Sequence, residues 1–209
     1  MIDLYAVGTA NGQKAAVMLE ETGCAYEIQP FDMMKGDHLA TPYLAINPIG
    51  KIPAIIDRDG PGGREVTVFE TLAIALYLCE KSGKLMPSDA VARALAWEWA
   101  CVATANLAPA LSYQFQFTRN LPDTSGPSIE YLLGQADRFF KAIDGRLAEA
   151  EYVAGEFSFA DVQIYPIAAT SDGRLPDGLA PYPNVRRWCD SVAARPAVER
   201  GMGAMPPLG

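Results

Sequence analysis

Two pairs of polar residues at predicted helix starts are the best candidates for chemistry in this 209-residue chain. Thr9 and Asn11 lie where a first strand gives way to a first helix, where helical N–H groups are unpaired and the helix dipole favours an anion. A hydroxyl and a carboxamide placed there can each donate a hydrogen bond to the thiolate of a bound ligand, and such surroundings lower a thiol pKa from about 8.5 towards neutrality. The alternative, which the local pattern favours, is that both residues simply cap the helix.

Glu70 and Thr71 form the second pair, at the start of the helix that follows a predicted hairpin. The Thr71 hydroxyl and the free N–H groups of the helix start suit a carboxylate, whereas Glu70 suits an ammonium group. The pair therefore fits an amino-acid head group, which carries both charges. A helix cap with an acidic first turn explains the same residues and is locally the stronger interpretation.

Pro53 opens an apolar, strand-like run over residues 53–57. Proline removes a backbone donor and is poorly tolerated inside a sheet, so its position needs a local reason. One explanation is a cis Ile52–Pro53 bond that turns the backbone of Ile52 outward, where it can pair with a ligand. The other is a proline at a strand edge, which frequency alone favours because cis bonds make up only about 5–6% of X–Pro bonds.

Residue counts argue against several other kinds of site. His38 is the single histidine, so the chain can build neither a multi-histidine metal site nor a Ser-His-Asp triad, and we expect no metal. No cysteine lies in residues 8–13, which argues against a protein-borne thiol at the first turn. The four cysteines are widely spaced, without a Cys-x-x-Cys, and we interpret them as buried small hydrophobes. They are Cys24, Cys79, Cys101 and Cys189.

The acidic balance of the chain limits its partners. A formal net charge of −8 argues against nucleic acid and against an anionic membrane surface. No apolar run reaches the ~18–20 residues of a membrane span, and residues 1–5 lack the features of a signal peptide, which predicts a cytoplasmic protein. A small anionic ligand needs a local positive site. Lys14, Lys35, His38 and Lys51 are candidates for it, although most such lysines are simply solvated.

The order of predicted elements must position these residues. Strands over 2–7, 25–31, 53–57 and 66–69 alternate with helices over 11–22, 39–45 and 70–81. This β-α-β-α-β-β-α order predicts a parallel pair followed by an antiparallel hairpin, as in an α/β thioredoxin-like domain over residues 1–81. Residues 82–88 form a predicted linker, and residues 89–209 an all-α domain with helices over 89–119, 128–150, 184–195 and 197–202.

Two local signals mark the helical domain. Ser158 fits an N-cap and Asp161 the N3 position of a capping box, with Phe157 and Val162 as a hydrophobic staple. We interpret this motif as a folding device and not as a catalytic site. Pro109 is expected to kink or end the helix predicted over 89–119, because proline lacks the N–H of a helical hydrogen bond.

In this order the motifs resemble the soluble glutathione transferase superfamily over almost the whole chain. The resemblance rests on Lys-Ile-Pro-Ala-Ile at 51–55, Phe-Glu-Thr at 69–71, the linker, the helical second domain and Ser-x-Ala-Asp at 158–161. The beginning of the chain, Met-Ile-Asp-Leu-Tyr…Thr-x-Asn-Gly-x-Lys…Leu-Glu-Glu, is most similar to the bacterial nu class. That class includes disulfide-bond oxidoreductases of enteric bacteria.

The resemblance implies a role in glutathione binding for each residue at the predicted sheet edge. Thr9 and Asn11 would contact the glutathione sulfur. Ile52 would pair through its backbone with the cysteinyl residue, Pro53 being cis. The remaining contacts fall to Glu70 and Thr71 at the γ-glutamyl end and to Lys51 and His38 near the glycyl carboxylate. In nu-class relatives the position of His38 is commonly a glutamine.

Aromatic residues of the second domain bear on the other substrate. Tyr113, Phe115 and Phe117 are candidates to line an apolar acceptor side, although core packing explains them equally well. Nu-class relatives tend to carry an arginine on the helix after the long loop, where this chain has Tyr131. That difference bears on whether a second glutathione is anchored there.

The resemblance implies an enzyme, and a homodimer, in which glutathione and not a protein cysteine is the nucleophile. In a nu-class mechanism one thiolate attacks a disulfide and a second glutathione resolves the mixed disulfide. One alternative is conjugation, in which the same thiolate attacks an electrophilic carbon. Another is a non-catalytic binding or scaffold protein, because a fold does not fix a function.

Overall fold

The computed structural model describes residues 1–121 and 124–205, which form two compact units. Of the described residues, the first unit contains Met1–Met86 together with residues 192–205, and the second contains those of Pro87–Ser191. The boundary at residue 86 falls inside the predicted linker over 82–88. The C-terminal end differs from the predicted division, which placed all of 89–209 in the helical domain; residues 122, 123 and 206–209 of that range lie outside the described residues.

Four strands form the sheet of the first unit: β1 (Ile2–Tyr5), β2 (Tyr26–Ile28), β3 (Ala54–Asp57) and β4 (Val66–Phe69). Their order in the sheet is β2-β1-β3-β4. Strand β1 runs parallel to β2 and antiparallel to β3, and β3 runs antiparallel to β4. The predicted parallel pair, the hairpin and the thioredoxin-like sheet are therefore confirmed.

Helices α1 (Ala10–Thr22), α2 (Thr41–Leu44) and α3 (Thr71–Ser82) complete the first part of this unit, with a single 3-10 turn at Asp37–Leu39 before α2. Helix α1 ends at Gly23, whose φ of 73° suits glycine and whose amide bonds the carbonyls of Leu19 and Glu20. Helix α3 is tied to β3 through the fully buried Asp57, which accepts from the Tyr77 hydroxyl at 2.6 Å and pairs with Lys81 at 2.8 Å.

Helix α9 (Pro196–Gly203) packs on α1, which explains why the end of the chain belongs to the first unit. Gly201 permits the close approach, since a Cβ there would lie 2.6 Å from the Val17 Cα. Two ion pairs, Arg195 with Glu21 and Arg200 with Glu20, each at 2.7 Å, flank the contact. These partners are about 180 residues apart in sequence, so no local pattern predicted the packing.

The described helices of the second unit are α4 (Ala90–Cys101), α5 (Ala108–Asn120), α6 (Gly126–Glu149), α7 (Phe159–Ser171) and α8 (Pro183–Ala193), the last of which crosses the unit boundary. A π-helical segment, Val102–Leu107, joins α4 to α5. The helix therefore does not end at Pro109. Its hydrogen-bond pattern changes just before Pro109, which lies in the first turn of α5, where the missing N–H costs least.

The predicted capping box at the start of α7 is confirmed. The Ser158 hydroxyl accepts from the Ala160 amide at 3.3 Å, and the Asp161 carboxylate accepts from the Ser158 amide at 3.0 Å. Asp161 also accepts from the Val153 amide at 3.2 Å and from the indole N–H of Trp188 at 2.9 Å. The motif thus fixes the start of a buried helix and a neighbouring segment at once.

The prediction that all four cysteines are buried was wrong for three of them. Cys79 is buried, Cys24 and Cys189 are partly exposed, and Cys101 is exposed. Cys101 lies on the outward side of α4, where apolar sequence neighbours do not guarantee burial because they point in other directions around the helix. Within residues 1–121 and 124–205, no helix is long and apolar enough to cross a membrane.

Candidate functional site

The sheet brings three of the predicted segments to one edge. Tyr5 at the end of β1 pairs with Ala54 at the start of β3, and Ala54 pairs with Phe69 at the end of β4. Neighbouring strands lie about 4.8 Å apart. The residues that follow β1, precede β3 and follow β4 therefore meet at this edge, and they include Thr9, Asn11, Ile52, Pro53, Glu70 and Thr71.

Thr9 is the N-cap of α1, as the local pattern favoured. Its hydroxyl oxygen accepts from the Gly12 amide at 3.2 Å, and its φ of −105° and ψ of 161° are those of a cap. Because a hydroxyl accepts and donates separately, this bond leaves the hydroxyl proton available for an acceptor. The cap and the donor roles are thus compatible in one side chain.

Asn11 is exposed in the first turn of α1. Its carboxamide oxygen accepts from the Lys14 ammonium at 3.1 Å. An amide whose oxygen is bound in this way has its NH₂ group left as a donor. No acceptor for that NH₂ group occurs among the residues that the structure describes.

Lys14 is only 1% exposed, which corrects the expectation that such a lysine is solvated. Burial lowers the pKa of its ammonium to about 7. The signal in the sequence was its helical spacing, because Lys14 lies one turn before Met18 and beside Ala15, both fully packed. A lysine on the apolar side of a helix was thus visible before the structure.

The Ile52–Pro53 peptide bond is cis, which confirms the less frequent of the two alternatives. The carbonyl of Lys51 just before it accepts from the Tyr43 hydroxyl at 2.6 Å and from the Asn47 amide at 2.7 Å. Both donors are buried. The side chains of Tyr43 and Asn47 therefore hold the backbone segment that carries Ile52.

Sequence reasoning missed Tyr43 and Asn47. The run Asn-Pro-Ile-Gly at 47–50 is a turn signal, in which an asparagine bonds the backbone two residues on. The structure shows that bond, from the Ile49 amide to the Asn47 carboxamide oxygen at 3.0 Å. Tyr43 gave no comparable signal, because an aromatic in a short helix is most often a packing residue.

His38 lies beside the segment that leads to Lys51. Gly50, at φ 66°, approaches so closely that a Cβ there would lie 3.0 Å from the His38 carbonyl oxygen. The Lys51 side chain is exposed, whereas the His38 Nδ1 atom is buried and has no partner within the described part of the chain. Lys51 and His38, the two residues predicted to lie near the ligand carboxylate, are therefore connected through the close approach of Gly50 to His38.

Glu70 does not cap α3 with its side chain, contrary to the locally favoured interpretation. It holds the N-cap position with φ 72° and ψ 126°, a conformation that is costly for a residue with a Cβ. Its side chain is exposed and makes no capping bond. The amides of the first turn, beginning with Thr71, are therefore left for another acceptor.

The second unit contains a separate apolar cavity of about 470 Å³ between α5 and α6. Tyr113 and Phe117, two of the three aromatics predicted to line an acceptor site, both line it, and so does Tyr131, together with Pro127, Ser128 and Leu132. Phe115, the third, is not part of the lining; its ring lies 5.2 Å from the Arg174 guanidinium. In the described ranges no cluster of three or more potential metal ligands occurs.

Family models match most of the chain. Residues 2–80 match the model for the N-terminal domain of glutathione S-transferase, and residues 99–196 match that for its C-terminal domain. Disulfide-bond oxidoreductase YfcG of Escherichia coli (strain K12) is 33% identical over 205 residues, which cover 97% of this chain and 94% of the relative. YghU, a disulfide-bond oxidoreductase of the same organism, is also 33% identical, over 96% of this chain and 73% of the relative.

Solved structures give the same likeness. A glutathione transferase family member from Pseudomonas fluorescens Pf-5, with two glutathione bound, superimposes with a TM-score of 0.90 at 31% identity, covering 96% of this chain and 92% of that one. A glutathione transferase from Pseudomonas putida, with one glutathione disulfide bound per subunit, has a TM-score of 0.90 at 30% identity, covering 96% and 90%.

Proposed function

Since this chain belongs to the glutathione S-transferase family, we propose that it is a glutathione-dependent disulfide-bond oxidoreductase of the nu-class type. The observation that carries the proposal is the edge of the sheet, where Thr9 and Asn11 each keep a free donor next to the cis Ile52–Pro53 segment. The likeness to YfcG and YghU over nearly the whole chain supports disulfides as the substrate class.

The proposed reaction uses two glutathiones and one disulfide. The first thiolate attacks one sulfur of the disulfide, so that a mixed disulfide forms and the other half leaves as a thiolate, which takes a proton from water. A second glutathione attacks the glutathione sulfur of the mixed disulfide and releases the other thiol, with glutathione disulfide as the oxidised product. The Thr9 hydroxyl and the Asn11 amide lower the pKa of the first thiol by donating to its sulfur, which raises the thiolate fraction at neutral pH.

The rest of glutathione has matching partners along the same edge. Glu70 would bind the ammonium of the γ-glutamyl residue, and the Thr71 hydroxyl and first-turn amides of α3 its carboxylate. The backbone of Ile52 would pair with the cysteinyl residue, and Lys51 and His38 would lie near the glycyl carboxylate. The strained, exposed and uncapped Glu70 supports this assignment, because strain of this kind persists where function needs it.

Conjugation to an electrophilic carbon is the second candidate activity. The cavity lined by Tyr113, Phe117 and Tyr131 favours it, because an apolar lining suits an aromatic electrophile. In that reaction the thiolate forms a carbon–sulfur bond and the electrophile loses its leaving group. The same cavity also accepts the apolar part of a disulfide, so it does not by itself choose between the two reactions.

A homodimer and a cytoplasmic location complete the proposal. Val91, Ala94, Trp97 and Cys101 lie on one exposed side of α4, beside the exposed Glu98, and this largely apolar face suits a subunit interface. The proposed reaction consumes reduced glutathione, which the cytosol maintains. Sedimentation should therefore give about twice the 22.5 kDa chain mass, and a species of the chain mass contradicts the dimer.

A side-by-side assay tests the proposed activity. Purified protein is first passed over a glutathione resin, then supplied with glutathione and either 2-hydroxyethyl disulfide or an aryl halide. We expect retention on the resin and a faster turnover of the disulfide. Faster turnover of the aryl halide favours conjugation instead. Retention without either reaction indicates a binding protein, and absence of both retention and reduction overturns the proposal.

A further inference from the structure

Lys14 is a buried cation that the proposed reaction does not yet explain. It is 1% exposed, and its single hydrogen bond in the described ranges goes to the Asn11 carboxamide oxygen at 3.1 Å. Burying an ammonium without a carboxylate partner is costly, and an apolar side chain of the same length would fill the space without that cost. A role in folding alone therefore does not account for this lysine.

The ionisable groups on the neighbouring elements do not pair with Lys14. Helix α1 packs on α3 and α9, and it follows β1. The titratable and charged groups of these elements are Asp3 and Tyr5 on β1, Tyr77, Cys79, Glu80 and Lys81 on α3, Glu199 and Arg200 on α9, and Glu20 and Glu21 on α1 itself. Arg200 pairs with Glu20, Lys81 with Asp57 and Asp3 with Arg58. None of these groups bonds the Lys14 ammonium within the residues described.

The Lys14 ammonium determines which way the Asn11 amide faces. An ammonium only donates, so it selects the oxygen of the carboxamide and leaves the NH₂ group on the other side. Asn11 is exposed while Lys14 is not, so the amide lies on the solvent side of the buried charge. A charged donor on the oxygen also polarises the amide and strengthens the bonds that its NH₂ group donates.

We propose that Lys14 is a positioning residue for the glutathione thiolate, acting through Asn11, whose NH₂ group it turns towards the sulfur. This inference rests on the proposed function, because it requires glutathione at the sheet edge. Burial lowers the pKa of Lys14 to about 7, so the ammonium that orients the amide is formed below neutral pH and is partly deprotonated at pH 7. On this view the chain keeps an unfavourable buried charge for the sake of the thiolate.

Lys14→Met tests the inference, because methionine keeps the length and removes the charge and the donor. The pH–rate profile and the ultraviolet absorbance of bound thiolate report the pKa of the bound thiol. We expect that pKa to rise by about one unit and kcat at pH 7 to fall about tenfold, since one pKa unit is a tenfold change in ionisation. We expect KM for glutathione to change less than twofold, and Tm to rise.

Matched variants separate positioning from structure. Lys84→Met is the control, since Lys84 is an exposed lysine that bonds the Thr22 carbonyl at the opposite end of α1, and its pH–rate profile should match wild type. In an Asn11→Ala background, Lys14→Met should have little further effect on the thiol pKa. Lys14→Gln, which keeps a donor without the charge, should give an intermediate shift and serves if Lys14→Met does not fold.

The outcomes are distinguishable. An unmoved pH–rate profile in Lys14→Met, or in Lys14→Gln if only that variant folds, overturns the inference. Full additivity of Lys14→Met with Asn11→Ala also overturns it, because the two residues would then act independently. Failure of the wild-type protein to bind glutathione instead overturns the proposed function itself.

Discussion

The Thr9 hydroxyl oxygen accepts a hydrogen bond from the Gly12 amide at 3.2 Å. The Thr9 side chain therefore caps α1 and still has a proton to donate at the sheet edge where glutathione is proposed to bind. The two roles have different consequences when the hydroxyl is removed, because a lost cap lowers stability and a lost donor alters the chemistry of the thiol. Substitutions at Thr9 can therefore measure both.

Thr9→Ala should lower the free energy of unfolding by about 1 kcal/mol through loss of the cap. It should also raise the pKa of bound glutathione and slow turnover at neutral pH, with a smaller change in glutathione affinity. Denaturant unfolding and a pH–rate profile measure the two effects. Thr9→Ser keeps the hydroxyl and should resemble wild type in both. A Thr9→Ala enzyme with an unchanged pH–rate profile refutes the donor role.

Glu70→Gln should weaken glutathione binding with little effect on the thiol pKa. A hydrogen bond to a charged group contributes about 1.5–3 kcal/mol, so KM for glutathione should rise about tenfold or more. Calorimetric titration with glutathione measures the loss directly. An affinity equal to that of wild type contradicts the head-group role of Glu70.

Glu70→Gly should raise stability while it weakens binding. Glycine tolerates φ 72° without a Cβ penalty, and such backbone strain costs about 1–3 kcal/mol in other residues. A higher Tm combined with a higher KM for glutathione shows that the strained backbone at Glu70 lowers stability and is kept for binding. A fall in Tm shows instead that the Glu70 side chain stabilises the fold.

Tyr43→Phe should raise KM for glutathione several-fold and leave the thiol pKa nearly unchanged. It removes the 2.6 Å bond to the Lys51 carbonyl, so the segment that presents Ile52 is then held by Asn47 alone. Tyr5→Phe is the control, because Tyr5 packs in the same aromatic cluster and its hydroxyl has no bond within the described residues. Equal effects of both variants argue for packing and against positioning.

Tyr131→Arg should strengthen binding of a second glutathione or of glutathione disulfide. Tyr131 is 66% exposed at the apolar cavity, where a guanidinium can reach a carboxylate. We expect a lower dissociation constant for glutathione disulfide, the oxidised product, and we expect that constant to rise again with added salt, because exposed charge pairs are screened. Tyr131→Leu is the neutral control. A dissociation constant that does not depend on the charge at this position places the second glutathione elsewhere.

Asp161→Asn should lower stability and leave glutathione affinity per folded protein intact. The asparagine NH₂ group would face the donors that now bond the carboxylate, among them the Trp188 indole. A lost glutathione affinity in a stable Asp161→Asn protein contradicts the interpretation of this motif as a folding device.

The difference in stability between wild type and Asp161→Asn should also depend on pH. Burial raises the pKa of Asp161 to about 6, although its hydrogen bonds oppose the shift. An acid with a raised folded-state pKa binds its proton more tightly in the native state, so stability falls as pH rises from about 4 to about 6. The stability of wild type relative to Asp161→Asn should fall by about 3 kcal/mol over that window and be level above it. If the relative stability of wild type rises over the same pH window instead, the hydrogen bonds to Asp161 outweigh burial in setting its pKa.

Local rules were sufficient for much of the fold. The capping box at Ser158, the turn over 59–63 and the alternation of strands and helices depend on residues a few positions apart. Hydrogen-bond caps and side-chain periodicity act over that range, so the sequence shows them directly. The predicted strands over 2–7 and 25–31 were too long, because a strand ends where its pairing partner ends.

The sequence by itself determined the order of the elements and the residue types at the ligand edge, since both follow from local patterns. Only the tertiary structure decided that Lys14 is buried against that edge, that Glu70 leaves its helix uncapped, and that α9 returns to α1. Each depends on the packing of groups far apart in the chain, about 180 residues for Arg200 and Glu20. Helical spacing can place a residue such as Lys14 on the apolar side of a helix, but its full burial and the long-range ion pairs depend on partner elements, because their free energy arises only when the elements meet.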